Sequence, residues 1–124
     1  MANVSVKPLI SVVLPVWNAQ RWLAEAIDSI QCQTVGDFEL VIVDDGSTDA
    51  SVTIIQAKAQ GDRRIRVFRQ ERLGLVTTLN RGISEARAQL IARIDADDRV
   101  YPQRLQKQIE HFDRHPNVFH DAIQ

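Results

Sequence analysis

A chain of 124 residues has room for one domain with a real core, and lies near the lower limit for an enzyme that handles two substrates. Its 44% hydrophobic and 25% charged residues are those of an ordinary globular protein, and a net charge of -1 gives no bulk electrostatic reason to expect nucleic acid or an acidic membrane surface as a partner. The single cysteine, Cys32, excludes an internal disulfide, and its place in an apolar helical pattern marks it as a small core residue rather than a nucleophile.

Lys7 ahead of the apolar Leu9 to Trp17 imitates a secretion signal, but Pro15 and the lack of a small-residue cleavage site argue against one. No segment approaches the roughly 20 apolar residues that span a bilayer. The expected location is the cytoplasm, with the inner face of the membrane as the alternative. Ile10-Ser11-Val12-Val13-Leu14 is a β-branched run, ended by Pro15, that suits a strand buried on both faces. Trp22, Leu23, Ala26, Ile27 and Ile30 then recur at helical spacing from Arg21 to about Cys32, with Asn18 as the cap. Phe38 to Val43 repeats the strand pattern. It closes on the turn-rich Asp44-Asp45-Gly46-Ser47-Thr48-Asp49, where Ser47 or Asp49 caps a helix carrying Val52, Ile54, Ile55 and Ala59.

Gly61-Asp62 breaks that helix before a short third strand, Ile65 to Phe68, and Leu75, Val76, Leu79, Ile83 and Ala86 mark a third helix. Leu90 to Ile94 is a fourth strand. Pro102 fits the first position of a last helix using Leu105, Ile109 and Phe112, which Pro116 ends. Four strands alternating with helices predict an α/β fold: a Rossmann-like three-layer α/β/α sandwich around a mostly parallel sheet with right-handed crossovers.

Asp95-Ala96-Asp97-Asp98 places three carboxylates in four residues at the exit of the fourth strand. Like charges this close raise one another's pKa, and a hard divalent cation relieves the repulsion. Mg²⁺ needs only one or two protein carboxylates beside water and phosphate oxygens. The alternative is a solvated acidic turn that caps the next helix. Ligands of open parallel sheets bind outside the carboxyl ends of the strands, where strand order reverses. With the order 3-2-1-4, one rim collects Pro15-Val16-Trp17-Asn18, Asp44-Asp45 and the acidic quartet. The five glycines form neither G-x-G-x-x-G nor a P-loop, and the quartet lacks the glycine and closing glutamate of an EF-hand. Phosphate would then be held through a metal or by arginines.

Ser11 through Asn18, Val41 through Asp49, Gly74 through Asn80 with Gly82-Ile83, and Ile94 through Asp98 resemble, in order and spacing, the motifs of family 2 glycosyltransferases. The likeness covers nearly the whole chain but only the nucleotide-sugar-binding half of that family's fold, so residues 1–124 are expected to form one such domain of a longer catalytic unit. It implies inverting transfer of a sugar from a nucleoside diphosphate sugar, commonly a UDP-sugar, to a hydroxyl acceptor. Pro15, Val16, Trp17 and Asn18 would line the base and ribose, and Asp44 would accept a hydrogen bond from the base. Asp95-Ala96-Asp97 matches the D-x-D motif. Asp95 would face the ribose, and Asp97 would hold Mg²⁺ or Mn²⁺ on the diphosphate, with Asp98 assisting.

Trp17 stands where the family more often has tyrosine, and Leu79 precedes Asn80 where a basic residue is frequent. Arg72 is the candidate replacement contact to the diphosphate. The simpler reading of Arg63, Arg64, Arg66, Arg69 and Arg72 is a solvated edge strand and loop. The resemblance implies that the acceptor's base lies in the family's acceptor half, outside this chain; Asp113 and Asp121 are poor substitutes because both lie away from the rim, and His111, His115 and His120 read as surface or helix-end residues rather than a zinc set. Two other classes compete. One is a non-catalytic nucleotide-binding or interaction module, with a homodimer formed through an exposed sheet edge. The other, a receiver-type phospho-switch, is disfavoured because Pro15 to Asn18 replaces its acidic pair and Lys107 falls on a helix.

Overall fold

The computed structural model describes residues 7–114. Among these, β1 (Ile10–Val16), α1 (Leu23–Gln31), β2 (Phe38–Asp45), α2 (Ser51–Gln60), β3 (Ile65–Gln70), α3 (Leu75–Glu85), β4 (Leu90–Arg93) and α4 (Arg104–Arg114) follow in strict alternation. The strands form one sheet in the order β3-β2-β1-β4, every neighbouring pair parallel. The architecture is therefore the expected α/β sandwich. Pro116, His115, His120 and Asp121 lie outside the described residues.

The two sheet faces differ in chemistry. Ile10, Val12, Leu14, Val16, Leu40 and Ile42 point to one side and meet Leu23, Ile27 and Ile30 of α1, Ile55 of α2 and Leu105 of α4 in a single apolar core. Each of those large side chains contributes roughly 1.5–3 kcal/mol by leaving water. On the other face α3 crosses β1 and β2 so closely that a Cβ on Gly82 would stand 2.4 Å from Val13 Cγ1. The buried residues of α3 are accordingly Thr78 and Gly82. Leu75 and Val76, part of the apolar pattern that marks this helix, are 51% and 72% exposed. Close helix–sheet approach selects small residues over large ones.

That second face also buries a charge. Glu39, 2% exposed, accepts from Ser11 Oγ (2.6 Å), Arg87 N (2.7 Å), Arg66 Nη1 (2.9 Å) and Arg87 Nε (3.1 Å). The arginines of the edge strand β3 and its flanking loops are the expected solvated set only in part: Arg63, Arg69 and Arg72 are exposed, whereas Arg64 and Arg66 are half-buried, and Arg64 pairs with Asp62, Arg66 with Glu39, Arg69 with Asp44 and Arg72 with Asp45.

Local boundaries shift for physical reasons. β1 continues through Pro15 to Val16. Ile94 N donates to Val13 O, so residues 11, 13 and 15 turn their polar groups toward β4, and the ladder stops there because Pro15 has no N–H to continue it; β4 accordingly ends at Arg93. α1 starts at Leu23, and Asn18 does not cap it. α2 starts at Ser51, where Asp49 Oδ1 accepts from Ser51 N at 2.8 Å while Ser47 serves another loop. α4 starts at Arg104, so Pro102 belongs to the preceding turn, where its carbonyl accepts from Thr34 N. Cys32, expected in the core, is exposed just past the end of α1. No helix among the described residues is long and apolar enough to cross a membrane.

Candidate functional site

The carboxyl ends of β1, β2 and β4 form the rim. Past Val16 the chain turns sharply at Asn18, whose φ of 47° is a left-handed conformation that asparagine tolerates better than most residues. The turn is held from the next loop. Asn18 N donates to Ser47 Oγ (2.9 Å), Ala19 N to Ser51 Oγ (2.9 Å) and Gln20 N to Asp49 Oδ2 (3.2 Å), while Thr48 N returns a bond to Asn18 Oδ1 (2.8 Å) and Ala50 N one to Gln20 Oε1 (2.8 Å). The segment Asp44 to Asp49 therefore serves as a brace for the loop after β1. Burial pushes the Asp49 carboxyl up, but the Ser51 hydroxyl and N–H and the Gln20 N–H outweigh it and hold Asp49 below its ordinary value.

Trp17 stands 48% exposed on this brace and lines two adjoining cavities. One, of about 210 Å³, is formed with Pro15, Val16, Asp45, Arg72, Leu75 and Thr78. The other, of about 280 Å³, brings Trp17, Asn18 and Trp22 together with Arg93, Asp95, Ala96 and Asp97.

Successive strand residues face opposite sides, and the Asp44-Asp45 pair at the end of β2 splits accordingly. Asp44 is fully buried. Its Oδ2 accepts from Ser47 N (3.2 Å) and lies 3.8 Å from Arg69 Nε, while Oδ1 has no hydrogen-bond partner. Asp45, on the α3 side, is saturated. Oδ1 accepts from Leu73 N (2.8 Å) and Gln70 Nε2 (3.0 Å), and Oδ2 from Arg72 Nη1 (2.9 Å) and Gly74 N (3.0 Å). Burial pushes this carboxyl up, yet Gln70, the two N–H groups and the Arg72 charge together hold it below its ordinary value. Sequence reading assigned Asp44 a role and passed over Asp45. The period of two in a strand was the signal that only one of the pair can face a given side.

The acidic turn follows β4. Asp95 accepts from Arg93 Nε at 2.8 Å and donates its N–H to Asp98 Oδ2 at 3.2 Å. Asp97 and Asp98 are exposed, and Asp95, Asp97 and Asp98 each offer an oxygen within 4.8 Å of the others. Hard oxygen donors so spaced fit a divalent cation, with Asp95 already partly neutralised by Arg93 and Asp97 projecting into the 280 Å³ cleft. Of the expected site residues, the structure brings Pro15, Trp17, Asn18, Asp95, Ala96 and Asp97 to one cleft, and Val16 and Arg72 to its neighbour. Asp44 lines neither cavity. Asp113, exposed on α4, also lies away from both.

The model of the family described as glycosyl transferase family 2 matches residues 11–123. The chain belongs to this family. EpsJ of Bacillus subtilis, an uncharacterized glycosyltransferase, is 39% identical over 103 residues, which are 83% of this chain and 30% of EpsJ. Among solved structures, Staphylococcus aureus TarS 1–349 in complex with UDP-GlcNAc superposes with a TM-score of 0.79 at 26% identity, covering 90% of this chain and 32% of that one. Mycobacterium tuberculosis glucosyl-3-phosphoglycerate synthase, solved with Mn²⁺, UDP and glucosyl-3-phosphoglycerate, gives a TM-score of 0.65 at 26% identity over 80% of this chain and 37% of its own. The family 2 chain described here thus spans about a third of the length of these relatives.

Proposed function

We propose that this family 2 chain is the donor-binding part of an inverting glycosyltransferase that moves a sugar from a nucleoside diphosphate sugar, a UDP-sugar by preference, to a hydroxyl acceptor. One observation carries the proposal. The aromatic platform on β1 and the acidic turn after β4, far apart in sequence, line one cleft at the switch point of the sheet. Binding of UDP-GlcNAc by TarS, and of UDP with Mn²⁺ by the mycobacterial synthase, supports the same donor class here.

In this reading the Trp17 ring stacks on the base and the backbone from Pro15 to Asn18 lines base and ribose. Asp44, expected to accept from the base, is fully buried and lines neither cavity, and Asp45 is the carboxylate of the pair that lines the cavity beside Trp17. Asp95, oriented by Arg93, faces the ribose, and Asp97, assisted by Asp98, holds Mg²⁺ or Mn²⁺. When bound, that cation neutralises charge growing on the diphosphate leaving group. The brace beneath Trp17 and Asn18 fixes the base end of the donor, so that the sugar end is presented at the acidic turn.

Isothermal titration with UDP, with and without Mn²⁺, tests the proposal. Binding that strengthens at least tenfold with Mn²⁺, and loses that gain in Asp97→Ala, is the expected result. Equal UDP affinity in EDTA and in Mn²⁺, or unchanged metal dependence in Asp97→Ala, would overturn it.

A further inference from the structure

A further cavity, of about 560 Å³, opens between the end of the acidic turn and the start of α4, lined by Asp98, Arg99, Tyr101, Gln103, Arg104 and Lys107. It shares no residue with the two clefts beside Trp17, and its size suits a small molecule. Its charges are unevenly used. Asp98 Oδ2 accepts from Asp95 N at 3.2 Å, and Arg99 Nη1 donates to Glu25 Oε1 at 3.4 Å. Arg104 and Lys107 stand one turn apart on one face of α4, and among the described residues neither side chain has a hydrogen-bond or ion-pair partner. Arg104 is half-buried. The other half-buried arginines are all engaged: Arg64 with Asp62, Arg66 with Glu39, Arg93 with Asp95, and Arg81 with the Arg69 carbonyl. A guanidinium that gives up part of its hydration without gaining an acceptor is left uncompensated.

We propose that this cavity is an anion site for the acceptor, in which Arg104 and Lys107 bind a phosphate group that the acceptor carries beside its hydroxyl. The edge of a guanidinium presents paired N–H donors that match two phosphate oxygens, and an ammonium adds a point charge with three donors. The Tyr101 hydroxyl and the Gln103 amide on the same wall suit the hydroxyl groups of a phosphorylated polyol or sugar. A neutral sugar leaves both cations without a counter-charge. Position supports the role. Asp98 lines this cavity and also offers an oxygen within 4.8 Å of Asp95 and Asp97, so an acceptor anchored at Arg104 lies beside the turn assigned to the diphosphate. The acceptor role rests on the donor-site reading, whereas the anion site stands on its own residues.

The probe is glycerol 3-phosphate, a phosphate monoester on a small polyol, titrated against the chain by NMR with glycerol as the neutral control. Saturable shifts centred on residues 98–107 are expected with the phosphate and not with glycerol. Arg104→Ala should weaken binding about three- to tenfold, the worth of one charge-assisted contact near the surface, and Arg104→Lys, which keeps the charge without the paired donors, should weaken it less. Arg63→Ala removes an exposed arginine elsewhere and should leave the affinity unchanged, which separates a site from bulk charge. A lipid headgroup carries the same phosphate chemistry, so vesicles of phosphatidylglycerol are compared with vesicles of phosphatidylcholine. Capture by phosphatidylglycerol alone that falls in Arg104→Ala marks a membrane-borne phosphate, and soluble binding without capture marks a free one. Absence of both, or equal losses in Arg104→Ala and Arg63→Ala, overturns the inference; with UDP still binding, the donor-site reading stands. Displacement of glycerol 3-phosphate by UDP and Mn²⁺ would make the cavity part of the donor site and overturn the acceptor role. Binding of glycerol 3-phosphate as expected, with no UDP binding to any form, overturns the donor-site reading and the acceptor role with it.

Discussion

The loop after β1 and the turn after β4 face each other across the cleft and are built on opposite plans. Asn18, Ala19 and Gln20 are stitched to Ser47, Asp49 and Ser51 by hydrogen bonds that run both ways between two loops. The acidic turn is bonded chiefly to its own neighbourhood, Arg93 to Asp95, Asp95 N to Asp98 Oδ2 and Asp98 N to Asp95 O. One side spends its polar groups on shape, and the other leaves the Asp97 and Asp98 carboxylates exposed. A site that orients one end of a donor and neutralises the other needs both.

Acid should act on the stitched framework, and its effect is the largest because several carboxyls contribute together. In Glu39, Asp45 and Asp49 burial pushes the pKa up but hydrogen-bond donors outweigh it, and in Asp62 the bonds from Arg64 dominate and bring it to about 2. Each folded-state value thus lies below the unfolded one. The stabilisation is complete above the unfolded range near pH 4 and is lost as pH falls through the folded values. Urea midpoints are expected to be level above about pH 5 and to fall steadily from about pH 4 toward 2. A curve flat to pH 2 would contradict the framework described for these groups.

Asp45→Ala comes next, since it strands two backbone N–H groups, Gln70 and a guanidinium. A loss of about 3 kcal/mol in urea unfolding is expected. Ser51→Ala removes a fully buried hydroxyl that accepts from Ala19 N and should cost about 1–2 kcal/mol, read from the same curves. Asp97→Ala should lie within about 0.5 kcal/mol of the unaltered chain while abolishing the metal dependence of UDP binding, because an exposed carboxylate carries no fold. Destabilisation by Asp97→Ala as large as that by Asp45→Ala would erase the distinction between the two sides.

Long β-branched runs made the strands and their parallel order legible in sequence, and the order 3-2-1-4 in turn located the rim. What stayed hidden depended on distances that no single segment encodes. Gly82 lets α3 settle onto Val13, which turns Leu75 and Val76 outward against the apolar pattern. Cys32 falls just past the last buried turn of α1, so the helical periodicity that placed it in the core had already ended. Among the proposed site residues, the gathering of Trp17, Asp95 and Asp97 at one cleft was legible because each follows closely on a strand whose carboxyl end the strand order puts on the rim. Asp45 and the brace of Ser47, Asp49 and Ser51 were not, because their partners lie in other loops.

β4 is four residues long and, among the described residues, pairs along one side only, whereas β2 is flanked by β1 and β3 and buried throughout. Edge segments with short ladders open at lower free energy than the centre of a sheet. The acidic turn therefore hangs from the strand most easily released by local unfolding, while the aromatic side stays with the centre. Under the proposed function, a cation and diphosphate that joined Asp97 to the rim would bind only the docked strand, and by mass action would hold it there. Donor occupancy would then act as the clasp of this edge, linking ligand concentration to the fraction of chains with a complete sheet.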